Sequence, residues 1–550
     1  MGATITIFRH HYRLPAVAQF INPPPNPSLH FPFSPHSLIL EIIRYAMQVT
    51  SLHIGASSVS LLIGEQAADG TIAPIDFLEQ PAPLAHDIFG RGVISPSTTE
   101  RIVSIIHGYQ KTLRELGLPE KQLTRAVATN ILPEATNHDV FLNRIRVACG
   151  VHLDPIDDGE MTRLIYLKTR RRLMDTPAMK RGSTLVIHVG PGNTRALLFK
   201  KGVIARYTSY RLGTHRTREA VHQSNAEGAA LLHLIRQHAS GNLEQIRLDY
   251  QAEKIEALVI IGYEIQLMAP FLNKPSQACS LKTIKQLTQQ ASELSDYDLV
   301  RRYNLDYHTA EALLPAMEIA IAITEMLRLP ELFVPVSEYE QGLLHDLLIS
   351  NTLIGTFEEE VLRATHILAE RYHSDPRHGD HVMKLCLHLF HHLQALHQMG
   401  DHEMLLLQCA AILHEVGSYI SPRSHHKHSQ YIILNSEIFG LDRLDITLVA
   451  LIARYHRHST PRPDHPDYAD LNADDRVRVC KLAALLRVAD ALERTHHQRI
   501  HDIGIILQQD KLILKLKGIN DATVEQLAMQ SKADLFTQTF GLNVVVETDG

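Results

Sequence analysis

Two segments of this chain carry the same pattern: an apolar strand, a turn of small residues, and a second apolar strand. The first is TSLHIGASSVSLLIGE, Thr50 to Glu65; the second is STLVIHVGPGNTRALLF, Ser183 to Phe199. Apolar runs of strand length on either side of such a turn read as β-hairpins. A turn of this kind can aim backbone N–H groups and hydroxyls into one concavity, as a phosphate requires. The turns lie about 135 residues apart, as two repeated halves facing one cleft would. The candidate phosphate-binding residues are Gly55, Ser57 and Ser58 in the first turn and Gly190, Gly192, Asn193 and Thr194 in the second. Either turn alone is equally a plain hairpin; the matched pair points to an anion. Pro191 removes one N–H donor from the second turn.

At 550 residues the chain is expected to hold three or four domains. Its 45% hydrophobic and 21% charged content is that of a soluble globular protein. The net charge of −6 gives no general attraction to nucleic acid or to a membrane, so a polyanionic ligand needs a local basic groove. The 35 histidines make the charge sensitive near neutrality. Five scattered cysteines without a C-x-x-C fit a reducing, cytoplasmic setting. No apolar run approaches the roughly 20 residues of a membrane span. Residues 1–46 include NPPPNPSLHFPFSP, which resists regular structure. They are expected to be a disordered extension or to precede a true start at Met47.

Strands and helices alternate from Thr50 to about Asp175. They comprise the first hairpin, a helix ending at Gly117, the strand TRAVATN, a helix stopped by Gly150, the strand VHLDPID, and a helix from Gly159 that carries the run Lys168 to Arg172. The pattern restarts at Gly182 and runs through the buried strand EKIEALVIIGY, a long apolar helix, the strand ELFVPVS and a helix opening at EQGLLHDLL. This predicts two repeated α/β halves with a cleft between them. The text is helical and rich in histidine from about Phe357 to Arg494, and the tail reads as a small α+β unit. Between the two turns, IDDGEMTRLIYL begins a helix with Asp157, Asp158 and Glu160 at its start. A carboxylate there is either an ordinary acidic cap or, facing a phosphate, a base for water.

At this point the residues resemble a known family. ATNILPEATNHDVFLNRIRVACGVHLDPIDDGEMTRLIYL is similar to the stretch that leads to the catalytic glutamate of the exopolyphosphatase / guanosine-pentaphosphate phosphohydrolase (Ppx/GppA) family. The resemblance continues in order through SYRLGTHRTREAV, RYHSDPRHGDHVMKLCLHLF, AAILHEVGSYIS, ARYHR, LLRVADALER and KADLFTQTFG. It implies an α/β actin/hexokinase-like (ribonuclease H-like) two-domain core, then an all-α HD-like domain and a small α+β C-terminal domain. The corresponding ranges are 47–175, 176–350, 351–496 and 497–550. The implied activity is hydrolysis of a terminal phosphoanhydride of polyphosphate or guanosine pentaphosphate. A divalent metal is implied too, Mg²⁺ in the family, with Mn²⁺ or Zn²⁺ open here. A homodimer is implied by the resemblance alone. Glu160 matches an acidic position at the family's water-activating motif, and Met161 replaces its usually acidic neighbour.

The departures bear on chemistry. His53 and His188 stand where the family's two turns carry metal-holding aspartates, and Gly262-Tyr263-Glu264 stands where a third, glycine-rich loop is expected, with Gly262 a further candidate phosphate-binding residue. Imidazole suits Zn, Cu, Fe or Ni better than Mg²⁺. His53 and His188 therefore read either as a transition-metal pair or as side chains filling the cleft. His378, His414, Glu415 and Asp490 resemble the metal pattern of HD phosphohydrolases, with Glu415 replacing an aspartate. Near them Arg423, His425, His426, Lys427, His428, Arg457 and His458 form a basic set; Arg423, Lys427, His428 and Arg457 are candidates to hold a polyanion. Three functional readings stay open: a phosphoanhydride hydrolase, a catalytically silent member that binds or senses polyphosphate or guanosine polyphosphates, and an HD-type phosphohydrolase.

Overall fold

The computed structural model describes residues 47–548 apart from 68–71, 119–122, 165, 167–176, 223, 225, 273–277, 336–353 and 458. The expectations for residues 1–46, for Lys168 to Arg172, for the helix at EQGLLHDLL and for His458 lie outside the described residues.

The two expected hairpins are present and sit at equivalent places in two sheets. In the first, β1 (Met47–Ile54) and β2 (Ser58–Gln66) are joined by a three-residue turn, and β3 (Ile72–Pro81) pairs antiparallel to β2. On its other side β1 pairs in parallel with β4 (Arg125–Ala128), which carries β5 (Asp154–Pro155). The second sheet repeats this with the antiparallel meander β6 (Ser183–Val189), β7 (Thr194–Lys200), β8 (Val203–Tyr210). There β6 pairs in parallel with β9 (Ala257–Ile261), and β9 with β11 (Glu331–Phe333); β10 (Ala278–Ser280) closes the edge antiparallel. His53 pairs with Val127 and His188 with Ile261, so the two histidines end corresponding central strands. The mixed sheets fit the expected two-part α/β core.

Local chemistry explains the element ends. Ser95 caps helix Pro96–Glu115 by accepting from the N–H of Thr98 at 3.2 Å, and Pro96 occupies the first helical position. The Tyr109 hydroxyl of that helix donates to the Val59 carbonyl at 2.7 Å, fixing it on β2. Gly150 ends helix His138–Cys149 in the left-handed conformation, as the sequence indicated. The strand expected over VHLDPID shrinks to Asp154–Pro155 at the sheet edge, where Pro155 offers no N–H and the Ile156 N–H donates to the Ala128 carbonyl at 2.9 Å. Helix Tyr307–Met326 is buried on nearly every side, with Asp306 as its cap, and forms the floor of the second sheet.

Helices Pro376–His392, Asp401–Leu413, Arg443–Arg454 and Ala473–Leu492 make the expected helical region. Strands β12 (Ile503–Leu507), β13 (Lys511–Leu516) and β14 (Asn543–Thr548) form a third sheet, whose Leu512, Leu514 and Val546 share one continuous apolar core with those helices. Phe439 of the helical region packs edge-on against Tyr166 and Tyr207, joining it to the second sheet. Cys149, Cys279, Cys386 and Cys409 are buried thiols. Among the described residues no helix is long and apolar enough to cross a membrane.

Candidate functional site

The turns after β1 and β6 face each other across one small cavity of about 70 Å³. His53, Gly55, Ser57 and Ser58 line it from the first sheet, and His188, Gly190 and Arg195 from the second. The Gly55 N–H donates to the Ser58 carbonyl at 2.8 Å and the Gly190 N–H to the Asn193 carbonyl at 3.0 Å, so both turns are tight. Both glycines allow close approach: a Cβ on Gly190 would lie 3.1 Å from the Asn193 carbonyl and from the His188 ring, and one on Gly55 would lie 3.2 Å from the Ser58 carbonyl. His53 and His188 are buried, and Arg195, 2% exposed, brings its guanidinium to 3.4 Å from His188 Nδ1. Tyr263 and Glu264 reach the same space, as the sequence reading anticipated. Small-molecule sites usually measure roughly 300–1,000 Å³, so this cavity is small for a ligand.

Asp158 ties the two halves together. Its Oδ1 accepts from Asn130 at 2.5 Å and from the Arg195 guanidinium; its Oδ2 accepts from Asn193 at 2.6 Å and from Ser209 at 3.1 Å. Burial works to raise the Asp158 carboxyl, but Arg195 and the hydroxyl and amide donors outweigh it and hold it below its ordinary value. The cap of the following helix is instead Asp157, which accepts from the Glu160 N–H at 2.8 Å.

Several expected phosphate ligands are committed elsewhere. Asn193 spends its amide on Asp158. The Thr194 hydroxyl donates to the Leu212 carbonyl at 2.6 Å and is fully buried. Gly192 and Gly262 permit close packing and do not line the cavity. A Cβ on Gly192 would lie 2.7 Å from Ile131 Cγ2, and one on Gly262 would lie 2.6 Å from the Val189 carbonyl. Gly55, Ser57, Ser58 and Gly190 remain at the cavity.

Glu160 requires a correction. It does not face the turns. Its carboxylate is held by Arg163 of the same helix through two hydrogen bonds of 2.6 and 2.7 Å. It lines a second, larger cavity of about 920 Å³, whose walls include Asp157, Glu358, Asp442 and Asp470. Among the described residues of that helix, the one that lines the narrow cavity is Met161. Successive helical residues point about 100° apart, so only one neighbour of the pair can face in, and here it is the apolar one.

With this geometry in view, comparison with known proteins is decisive for the family. Residues 66–351, more than half the chain, match the model for the Ppx/GppA phosphatase family, and residues 362–536 match that for Ppx/GppA phosphatase, domain III. The chain belongs to the Ppx/GppA family. Similar proteins named guanosine-5'-triphosphate,3'-diphosphate pyrophosphatase occur in Photobacterium profundum and Pseudoalteromonas translucida. The first is 21% identical over 472 residues and the second 23% over 484, each alignment covering 85% of this chain and 91% of the relative. Among solved structures, an exopolyphosphatase from Cytophaga hutchinsonii aligns with TM-score 0.46 and 13% identity over 55% of this chain and 98% of its own. The Aquifex aeolicus Ppx/GppA member aligns with TM-score 0.43 and 19% identity over 56% of this chain and 99% of its own.

The Mg²⁺ ion implied by the Ppx/GppA resemblance does not fit the lining found here. At the two turn positions stand imidazoles, beside Met161 and the buried Arg195 cation, and the carboxylates that do line the cavity, Glu79 and Glu264, accept from Ser58 and Thr214. Nor do His53 and His188 belong to any cluster of three potential metal-ligating side chains among the described residues, and Arg195 lies against His188. Such clusters occur in the helical region: His378, His414 and Asp490 converge there, and His378 also meets Glu415 and His496. Arg423, Lys427, His428 and Arg457 line neither the narrow cavity nor the acidic one. Sequence reading missed Asp158, Arg195, Asn130 and Ser209 as a network. One signal was available: Arg195 is a charged residue inside an otherwise apolar strand.

Proposed function

We propose that this chain acts on phosphoanhydrides as a cytoplasmic hydrolase of the exopolyphosphatase / guanosine-pentaphosphate phosphohydrolase type, releasing a terminal orthophosphate by attack of water. The observation that carries this reading is the pair of tight turns facing one cavity inside a chain that matches both Ppx/GppA family models. The Gly55 and Gly190 turns, with the Ser57 hydroxyl and the Arg195 cation, would hold one terminal phosphate. The larger cavity beside it is acidic, and its negative lining opposes a long polyanion. That favours guanosine pentaphosphate, the named substrate type of the relatives, over long polyphosphate. On the same reading the chain divides at 47–175, 176–350, 351–496 and 497–550, the third part is HD-like, and the molecule is a homodimer.

One observation favours a second reading, a member that binds or senses the nucleotide without turnover. With Met161 at the narrow cavity and Glu160 turned to the other, the carboxylates that line the narrow cavity are Glu79 and the buried Glu264, and Asp158 beside it is taken up by Arg195 and Asn193. The Ser58 hydroxyl donates to Glu79 and the Thr214 hydroxyl to Glu264. Orthophosphate release from guanosine pentaphosphate and from polyphosphate, with Mg²⁺, Mn²⁺ and Zn²⁺ in turn, separates the readings. Turnover establishes the hydrolase; saturable nucleotide binding with no release in any metal establishes the sensor.

A further inference from the structure

Four imidazoles meet in the middle of the helical region, away from the cleft. His378 lies in helix Pro376–His392, His414 ends Asp401–Leu413, His425 opens His425–Leu434, and His456 follows Arg443–Arg454. His378, His414 and His456 are each 1% exposed. Nδ1 of His414 lies 2.7 Å from the Ala411 carbonyl, Nδ1 of His456 lies 2.6 Å from that of Ala453, and Nδ1 of His425 lies 3.2 Å from that of Pro422. A carbonyl only accepts, so each of these Nδ1 atoms carries the ring hydrogen and each Nε2 presents a lone pair.

Nε2 of His425 and Nε2 of His456 nevertheless stand 3.1 Å apart. Two lone pairs at that distance repel unless a cation lies between them. A shared proton would leave an imidazolium against a fully buried ring, which desolvation opposes. A metal ion removes the conflict. The neighbouring pair repeats the spacing: Nε2 of His378 and His414 are 3.2 Å apart, with Asp490 Oδ1 at 4.0 and 3.9 Å. His378 Nδ1 has no hydrogen-bond partner among the described residues, so that contact alone admits an ordinary hydrogen bond; the His425–His456 contact does not. Metal–nitrogen bonds of about 2.0–2.1 Å place adjacent nitrogens ~2.9 Å apart in an octahedral site and ~3.3 Å apart in a tetrahedral one. Both observed spacings fall between these limits. Asp490 Oδ2 accepts from Lys532, which turns Oδ1 toward the imidazoles. Glu415 Oε2 lies 3.8 Å from His378 Nε2.

We propose that these residues form a binding site for first-row transition-metal dications with two adjoining positions. His378, His414 and Asp490 bound one, and His425 and His456 bound the other. A nitrogen-rich set with one or two carboxylates selects Zn²⁺ and its neighbours over Mg²⁺ or Ca²⁺. The site is independent of the phosphate cleft, so it stands or falls apart from the hydrolase and sensor readings.

The test uses the full chain, stripped with a chelator and titrated with Co²⁺ while visible absorption is followed, then with Zn²⁺ in competition. Saturable uptake of one to two Co²⁺ per chain, with ligand-field bands displaced by Zn²⁺ and not by Mg²⁺, is expected. His425→Gln, at a half-buried position, should weaken uptake at least tenfold, and His414→Gln should weaken it further. The exposed pair His391→Gln and His392→Gln should change nothing. Absence of saturable uptake overturns the proposal. So does uptake that survives His425→Gln and His414→Gln but falls with the His391 and His392 changes, which would mark surface imidazoles only. Circular dichroism shows whether each variant is folded; should His414→Gln fail to fold, the His425→Gln titration decides.

Discussion

Asn193, in the turn after β6, donates its side-chain amide to Asp158 at 2.6 Å. The second turn is thereby anchored to the helix start that also supplies Glu160 and Met161, and the buried Arg195 joins the same carboxylate. One wall of the narrow cavity is thus tied by a charge network as well as by packing. Removing one partner of a buried pair costs about 3–5 kcal/mol, and Asp158 is partly exposed, so a value somewhat below that range applies. Asp158→Ala is expected to destabilise by about 2–3 kcal/mol in urea unfolding, with Arg195→Met milder because it removes the buried charge itself.

Glu160 sits outside the cavity and Met161 inside it. Any orthophosphate release by the wild type should persist in Glu160→Gln at more than half its rate. Met161→Glu places a carboxylate at the cavity and is expected to raise the initial rate of release from guanosine pentaphosphate at least tenfold. A Glu160→Gln variant that loses activity outright would return the base to Glu160 and require a large movement of that helix.

Gly262→Ala should be strongly destabilising despite its small size. The added Cβ would lie 2.6 Å from the Val189 carbonyl, a backbone atom that cannot swing aside. A loss of about 2 kcal/mol or more is expected, read as a lower denaturation midpoint with an unchanged slope.

Asp442 caps helix Arg443–Arg454 by accepting from the Asp445 N–H at 2.7 Å, and it lines the acidic cavity. Burial, then the nearby Asp445 charge, pushes its carboxyl up to about 6. A carboxyl raised in the folded state holds its proton more tightly there than in the unfolded chain. Its contribution is therefore fully present below about pH 4 and lost as pH rises through 6. Asn caps as well as Asp and carries no charge. Asp442→Asn should match the wild type near pH 4 and exceed it by about 1 kcal/mol at pH 8. Urea midpoints at the two pH values check this; a variant weaker at pH 8 would show that the charge is used productively.

The paired hairpins, the helix stops at Gly117 and Gly150, and the helical His-rich region were legible because they rest on local rules: apolar periodicity, glycine conformation and capping. His53 and His188 were correctly placed at corresponding strand ends for the same reason, since the apolar run and the small-residue turn that ends it are local to each strand. The hub around Asp158 was not legible. Its partners lie 28 to 51 positions away in sequence, and nothing local to Asp158 marks them.

What the chain's text determined alone was its family, its repeated halves and the existence of two anion-type turns. Only the tertiary structure decided which neighbour, Glu160 or Met161, faces them, because that depends on how the helix is rotated when it packs. The structure also decided that Asn193 and Thr194 are spent on internal partners, and that four histidines far apart in sequence bring their ring nitrogens together. Hydrogen-bond partners and ligand clusters are set by long-range packing, which sequence spacing does not encode.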